Sequence, residues 1–309
     1  MKIGLIGSVK SSEVVLLYLM KHQFNIVGVL GFNPENKENV SGWTDLSKTA
    51  QKEGIPYSDY QKINDEHHIE WMKSKQPDVI FAVGFSQLLS KEWLDMPRLG
   101  CVGFHPTCLP KGRGRAPLSW LVLEENTAAA SFFLMGEGAD DGPLFVQETF
   151  NIDKDDDASS VGNKIGAAMV VALDTWLPKL KAGEWNPIPQ DELQASWYGK
   201  RTPSDGVINW NMSAYSIDRL IKATSRPHPG AYTFLKDQKL IIWKSRIEKN
   251  IPIKGVVGRV LLCKEQDYLI QCGEDLLWIS DIEGVASLRV GDKLGYNIEY
   301  EIYKIKNNL

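Results

Sequence analysis

The chain has 309 residues, 43% of them hydrophobic and 24% charged, the make-up of an ordinary globular protein and not of a disordered, collagen-like or fibrous one. Its length suits about two domains of 100 to 200 residues. A net charge of −4 disfavours a polyanion as main partner, because Lys and Arg neutralising phosphates supply most non-specific nucleic-acid affinity.

Lys2 to Gly7 is a short apolar run followed at once by a Gly-Ser turn and a Leu-rich segment, which predicts strand, tight turn and helix. The alternation continues with a strand at Ile26 to Leu30, a helix at Leu46 to Gly54, a helix at Ile69 to Lys75 and a strand at Asp78 to Val83. Next come a helix at Lys91 to Met96, a strand at Cys101 to His105 and a helix at Pro117 to Glu124. Strands at Ala129 to Met135 and Leu144 to Phe150 have no helix between them and should pair antiparallel. A long amphipathic helix, Ser159 to Lys181, closes this half. The pattern is that of an α/β, doubly wound sheet.

From Ala182 to Asp205 the pattern dissolves into Gly, Pro, Trp and polar residues, which reads as a linker across a surface and places a boundary near residue 203. Domains 1–203 and 204–309 follow. The second opens on a helix at Ala214 to Thr224. Short β-rich runs succeed it at Ala231 to Leu235, Leu240 to Lys244, Gly255 to Leu262, Tyr268 to Cys272, Leu276 to Ile282 and Ile298 to Ile305, the pattern of a small OB-like β-barrel.

The four cysteines, Cys101, Cys108, Cys263 and Cys272, form no C-x-x-C pattern, so buried, reduced thiols and an intracellular setting are expected. The N-terminal apolar run is too short for a signal peptide or a membrane span, and the expected location is cytoplasmic.

Several segments carry candidate chemistry. GLIGSVKSS lacks the G-x-G-x-x-G spacing that lets a pyrophosphate approach the backbone, so Gly4 and Gly7 read as a tight turn rather than a nicotinamide site. The densest signal is HPTCLPKGRGRAP. It puts His105 at the C-terminal end of a strand, where open α/β sheets place their ligand crevices, and brings Lys111, Arg113 and Arg115 within reach of an anion. On spacing alone a catalytic loop and a plain Pro- and Gly-rich loop are equally good readings. GEGADDGPL is a second strand-end turn. Either Asp140 or Asp141 could face His105 from it and favour the charged imidazole, or both could be solvated. His67 and His68 lack a third ligand at a metal spacing, so no metal is expected. His228, in RPHPGAY, reads as structural, and the acids of DKDDD as a helix-entry feature.

Taken in order, PDVIFAVGFSQLLSKEWL, HPTCLPKGRGRAPLSW, ADDGPL, RTPSDGVINW and RPHPGAYTF resemble the folate-dependent formyltransferases over nearly the whole chain. The nearest likeness within them is to N-formyltransferases of nucleotide-linked amino sugars, including those of the aminoarabinose and pseudaminic acid pathways; the formylation domains of peptide synthetases look similar too. The resemblance implies a Rossmann-like domain that takes 10-formyltetrahydrofolate as formyl donor, an OB-like domain after it, and a small nucleotide-sugar acceptor whose amine is formylated, in polysaccharide biosynthesis. It implies His105 and Asp140 as catalytic residues. It also implies Gln87, Leu88, Leu89, Arg115, Gly136, Glu137, Gly138, Ala139 and Asp140 as folate contacts, no metal, and a homodimer as in similar sugar enzymes.

One position departs from the family pattern. The Asn expected two residues before the His is Gly103 here. That Asn is understood to hydrogen-bond the formyl oxygen as charge develops on it, and loss of such a donor typically costs about 3 kcal/mol. Substitutes to consider are protonated His105, a backbone N–H, a water in the space beside Gly103, or the Thr107 hydroxyl. Two alternatives accompany the sugar enzyme: a methionyl-tRNA formyltransferase, and a non-catalytic folate or nucleotide-sugar binding module. The tRNA enzyme would want a basic face, yet residues 204–309 hold 15 basic against 13 acidic side chains.

Overall fold

The computed structural model of the protein describes residues 1–35, 40, 42–85, 87–284, 287–295 and 305–306. In chain order its elements begin with β1 (Lys2–Gly7), α1 (Lys10–Lys21), β2 (Asn25–Phe32), α2 (Leu46–Lys52), β3 (Tyr57–Tyr60), α3 (Glu66–Ser74), β4 (Val79–Val83) and α4 (Lys91–Asp95). They continue with β5 (Cys101–Thr107), β6 (Arg113–Gly114), α5 (Pro117–Glu124), β7 (Ala128–Leu134), β8 (Leu144–Phe150), α6 (Ala158–Lys181) and β9 (Trp197–Tyr198). After these come α7 (Ala214–Ala223), β10 (Ala231–Leu235), β11 (Gln238–Glu248), β12 (Val260–Lys264), β13 (Asp267–Gln271) and β14 (Leu276–Glu283).

Two compact units result. The first comprises Met1–Pro117, Asn126–Ile152 and Val161–Lys200; the second comprises Leu118–Glu125, Asp153–Ser160 and Arg201–Leu309.

The first unit is built on a seven-stranded sheet in the order β3-β2-β1-β4-β5-β7-β8. The strands from β3 to β5 are parallel, and β7 and β8 are added antiparallel, as their unbroken succession predicts. The chain reverses its winding between β1 and β4, which makes the sheet Rossmann-like; in such open α/β sheets ligands bind outside the carboxyl ends of the strands. All five residues of β4 are buried, as a central parallel strand covered on both faces requires. One face carries a core with Phe81, Phe132 and Trp176, whose rings meet at centroid distances of 5.8 Å (Phe81–Trp176) and 6.0 Å (Phe132–Trp176). The other carries Ile6, Ile80, Met72 and Trp93.

The turn after β1 is closed by Ser12. Its Oγ accepts from the N–H of Ser8 (3.0 Å) and Val9 (3.2 Å) and donates to Val83 O (2.6 Å). A Cβ on Gly7 would run into that hydroxyl, so the glycine serves the turn itself. β3 is absent from the sequence expectation because YSDY has no apolar run. It is a four-residue edge strand paired on β2 alone.

The second unit carries a five-stranded antiparallel sheet in the order β10-β11-β14-β13-β12. Leu294 bridges Leu235 at the end of β10, while Val260 at the start of β12 donates to Asp292 O at 2.9 Å. The segment around 292–294 thus joins the two edges into the expected OB-like barrel. The expected strand at Gly255 to Leu262 begins only at Val260, since the chain turns first, with Gly258 at φ +77° and Arg259 N–H donating to Val256 O. The expected strand at Ile298 to Ile305 falls outside the described residues except for Ile305. α7 ties α5 into this unit: buried Arg219 donates through Nε to Val122 O (3.0 Å) and through Nη1 to Lys154 O (2.8 Å).

Candidate active site

The carboxyl-terminal half of β5 carries Gly103, His105 and Thr107 on one face, and its register against β7 shifts between His105 and Thr107. His105 is 5% exposed and both of its ring nitrogens face acceptors. Nε2 lies 2.8 Å from Gly112 O, and Nδ1 lies 3.4 Å from Asp140 Oδ2. A carbonyl can only accept, so Nε2 carries the proton of the neutral ring and Nδ1 is left with its lone pair beside a carboxylate. Burial pulls the His105 pKa below its ordinary value, against the opposing pull of the Asp140 carboxylate and the Gly112 carbonyl. Chemically this is a base: a proton arriving at Nδ1 completes an ion pair with Asp140.

Asp140 comes from the turn between β7 and β8, with φ 55°. Its Oδ2 also accepts from Gly114 N–H at 2.9 Å. Asp141 turns the other way, its carboxylate lying over Gly138 where a Cβ would collide with it. Of the two acids the sequence left open, Asp140 is the one that meets His105.

Arg113 is not where the sequence expects it. It is 1% exposed and gives its Nη1 and Nη2 to Glu192 (2.9 and 2.6 Å), with Nη2 and Nε on Gln190 Oε1 (2.9 and 3.3 Å). A guanidinium this deep needs its partners inside the protein, so it braces the loop instead of meeting an anion. Lys111 and Arg115 stay at the surface. The partners of Arg113 come from the stretch the sequence reads as a plain linker. β9 there pairs with β6, and Ser196 Oγ accepts from Gly112 N–H at 2.9 Å. Nothing in the sequence marks Gln190 and Glu192 for that role, because a polar pairing across some eighty positions leaves no periodicity.

Gly103 is opposite Phe133 in the β5–β7 register. A Cβ at 103 would stand 2.6 Å from Phe133 Cζ and 3.0 Å from Met135 Cγ. The space beside Gly103 is therefore filled by aromatic and thioether atoms, which removes the water from the candidate substitutes for Asn. The Thr107 hydroxyl fares differently: it is buried without a hydrogen-bond partner among the described residues.

In the 87–89 segment, Gln87 spends its side chain on Ile63 N–H (3.0 Å) and Gln61 O (2.7 Å). Asn64 holds the neighbouring backbone at Leu88 O (2.9 Å) and Ser90 N–H (3.0 Å). Leu88 is left 74% exposed, and Leu89 packs on the core rim. Gly136, Glu137, Gly138 and Ala139 are exposed, with Glu137 3.7 Å from Lys91 Nζ.

His228 donates through Nδ1 to Ala223 O at 3.1 Å, a structural contact within the second unit. Asp65, His67 and His68 bring ligand atoms within 4.8 Å of one another, a grouping the sequence reading missed because Asp65 enters as the residue before α3. They sit at the positive end of that helix, which opposes a cation. Among the described residues no helix is long and apolar enough to cross a membrane.

Comparison with known proteins gives two family matches: "Formyl transferase" over residues 20–174 and "Formyl transferase, C-terminal domain" over residues 200–290. The bifunctional polymyxin resistance protein ArnA of Wigglesworthia glossinidia brevipalpis is 32% identical over 230 residues, 74% of this chain and 35% of that protein. The chain thus spans about a third of that relative's length. Among solved structures, WlaRD, a sugar 3N-formyl transferase crystallised in the presence of dTDP and 5-N-formyl-THF, superposes with a TM-score of 0.65 at 17% identity, covering 93% of this chain and 99% of that one. Methionyl-tRNA formyltransferase from Clostridium thermocellum gives 0.58 at 17% identity, covering 92% and 99%. At such identities these two structures speak for the fold.

Proposed function

The chain belongs to the formyltransferase family, and from that premise we propose that it is an N-formyltransferase acting on the amine of a nucleotide-linked amino sugar, of the UDP- or dTDP-4-amino-4,6-dideoxy type. The observation that carries the reading is the His105–Asp140 pair, 3.4 Å apart at the carboxyl ends of the sheet. The sugar acceptor is supported by a relative seen with dTDP and a formylated folate. It is supported too by residues 204–309, whose 15 basic and 13 acidic side chains offer little to an RNA backbone.

The 87–89 segment fits a flat heterocycle read by backbone. Its side-chain anchors are already spent inward, and the exposed 136–139 turn and Arg115 stand ready for the rest of a folate. 10-Formyltetrahydrofolate supplies the formyl carbon and departs as tetrahydrofolate once the amine nitrogen has bonded to that carbon and the bond to N10 has broken. Neutral His105 takes the proton that the attacking amine sheds, and Asp140 stabilises the resulting imidazolium. The proton then passes to the leaving nitrogen, which restores neutral His105. Because Nε2–H is spent on Gly112 O, the proton must arrive at Nδ1, on the side of the ring that Asp140 faces. Thr107, with its buried hydroxyl unpartnered among the described residues, is the substitute we favour for the donor that Gly103 lacks.

Gly103 favours one second reading, a binding module that holds both ligands without turnover. Mass spectrometry of a panel of nucleotide-linked amino sugars incubated with 10-formyltetrahydrofolate separates the two. A gain of one formyl group supports the enzyme; binding of both ligands with no product supports the module.

A further inference from the structure

We propose that Gln190 is a positioning residue that clamps the two loops facing His105 and thereby holds Asp140 against the imidazole. Its Nε2 donates to Asp140 O at 2.8 Å and to Gly142 O at 2.6 Å, on either side of Asp141. Its Oε1 accepts from Arg113 Nη2 (2.9 Å) and Nε (3.3 Å). Arg113 lies between Gly112, whose carbonyl meets His105 Nε2, and Gly114, whose N–H meets Asp140 Oδ2. One amide therefore links the loop at one ring nitrogen to the loop at the other.

The clamp has work to do because Asp140 sits at φ 55°. Asp adopts that region more readily than most side chains, but it does so as a single residue in a turn, outside any regular hydrogen-bonded element, so its position depends on the contacts around it. The Gly114 N–H holds the carboxylate, but a carboxylate can swing about its own side chain. Only the bond from Gln190 to the Asp140 carbonyl fixes the backbone from which that side chain departs, among the side-chain contacts described for that carbonyl. Gln190 is held in turn by a guanidinium that is 1% exposed and bidentate on Glu192, so the amide has one orientation: oxygen toward Arg113, nitrogen toward the turn.

The inference rests on His105 and Asp140 as the reacting pair, but its test does not need turnover. The imidazole of His105 is followed in the full chain by NMR of labelled histidine, assigned by its disappearance in His105→Gln. Two variants are compared with the wild type. Gln190→Leu removes the whole clamp, while Gln190→Glu keeps an acceptor for Arg113 and loses both donated bonds. The expected result is that both variants lower the His105 titration midpoint by about one pH unit, as the buried ring loses its carboxylate. Both should also lower kcat by about 10- to 100-fold with little change in KM for the formyl donor. An unchanged midpoint in both variants, or a shift in Gln190→Leu alone, overturns the clamp. A wild type without formyl transfer overturns the function and leaves the titration to judge the clamp.

Discussion

The Asp140 carboxylate reaches the Nδ1 of His105 at 3.4 Å while also accepting the Gly114 N–H at 2.9 Å, so one oxygen serves both the imidazole and the loop beside it. Charge and architecture are therefore separable by substitution. Asn tolerates the left-handed backbone of position 140 and can still accept from Gly114. Asp140→Asn should retain the fold and folate binding and lose formyl transfer by about 10²- to 10⁴-fold, the range of a lost acid–base contribution.

His105→Ala removes the proposed base itself. Transfer should fall at least as far as in Asp140→Asn, with the dissociation constant for folate changed by only a few fold. Single-turnover kinetics with parallel fluorescence titration of folate checks both variants. Near-normal turnover in His105→Ala would mean that another group handles the amine proton.

The pH dependence follows from the direction of the His105 shift. Burial holds its pKa below the ordinary 6.5, so the ring is neutral at pH 7, the state the proposed base requires. kcat/KM should fall on the acid side with a midpoint below about 6.5, and Asp140→Asn should move that limb lower still by removing the charge that favours the imidazolium. Stability has a matching sign. His68, His105 and His228 all have pKa values lowered chiefly by burial, so the unfolded chain binds protons that the fold excludes. Stability present above about pH 6.5 is lost as pH falls through the window beneath it. Thermal unfolding at pH 7.5 and 5.5 reads this directly, the lower midpoint belonging to pH 5.5.

Gly103 is locked to its neighbour. With the Phe133 ring where a side chain would go, Gly103→Asn should overpack the β5–β7 pair, cost about 1–3 kcal/mol and fail to raise turnover. Gly103→Asn in a Phe133→Ala background should be more stable than the sum of the two single changes predicts. Chemical denaturation of the four proteins gives the coupling. Additive effects would mean that the ring does not occupy the Asn site.

The sheet was legible because its strands are buried apolar runs and its helices amphipathic, and both signals come from the same burial that builds the core. β3 escaped, being a polar edge strand with nothing to bury on its free side. In the site, His105 and the Asp140–Asp141 pair stood out by lying at strand ends, with Asp140 singled out only by the resemblance to the family, whereas Arg113 was misread: Arg residues close together look alike until one of them finds Glu192 and Gln190 some eighty positions later in the chain. Such long-range polar pairing leaves no periodicity. Gln190 was invisible for the same reason, since an isolated amide in a Pro-rich stretch carries no local signal.

The central claim is formyl transfer to an amine on a nucleotide-linked sugar. It is tested most directly by incubating the protein with 10-[¹³C]formyltetrahydrofolate and each candidate acceptor and following the labelled carbon by NMR. The account predicts a new formamide resonance with an amino-sugar nucleotide, absent with uncharged tRNA or methionyl-tRNA and absent in His105→Ala. Bound folate and bound nucleotide sugar with no formamide after prolonged incubation would contradict it.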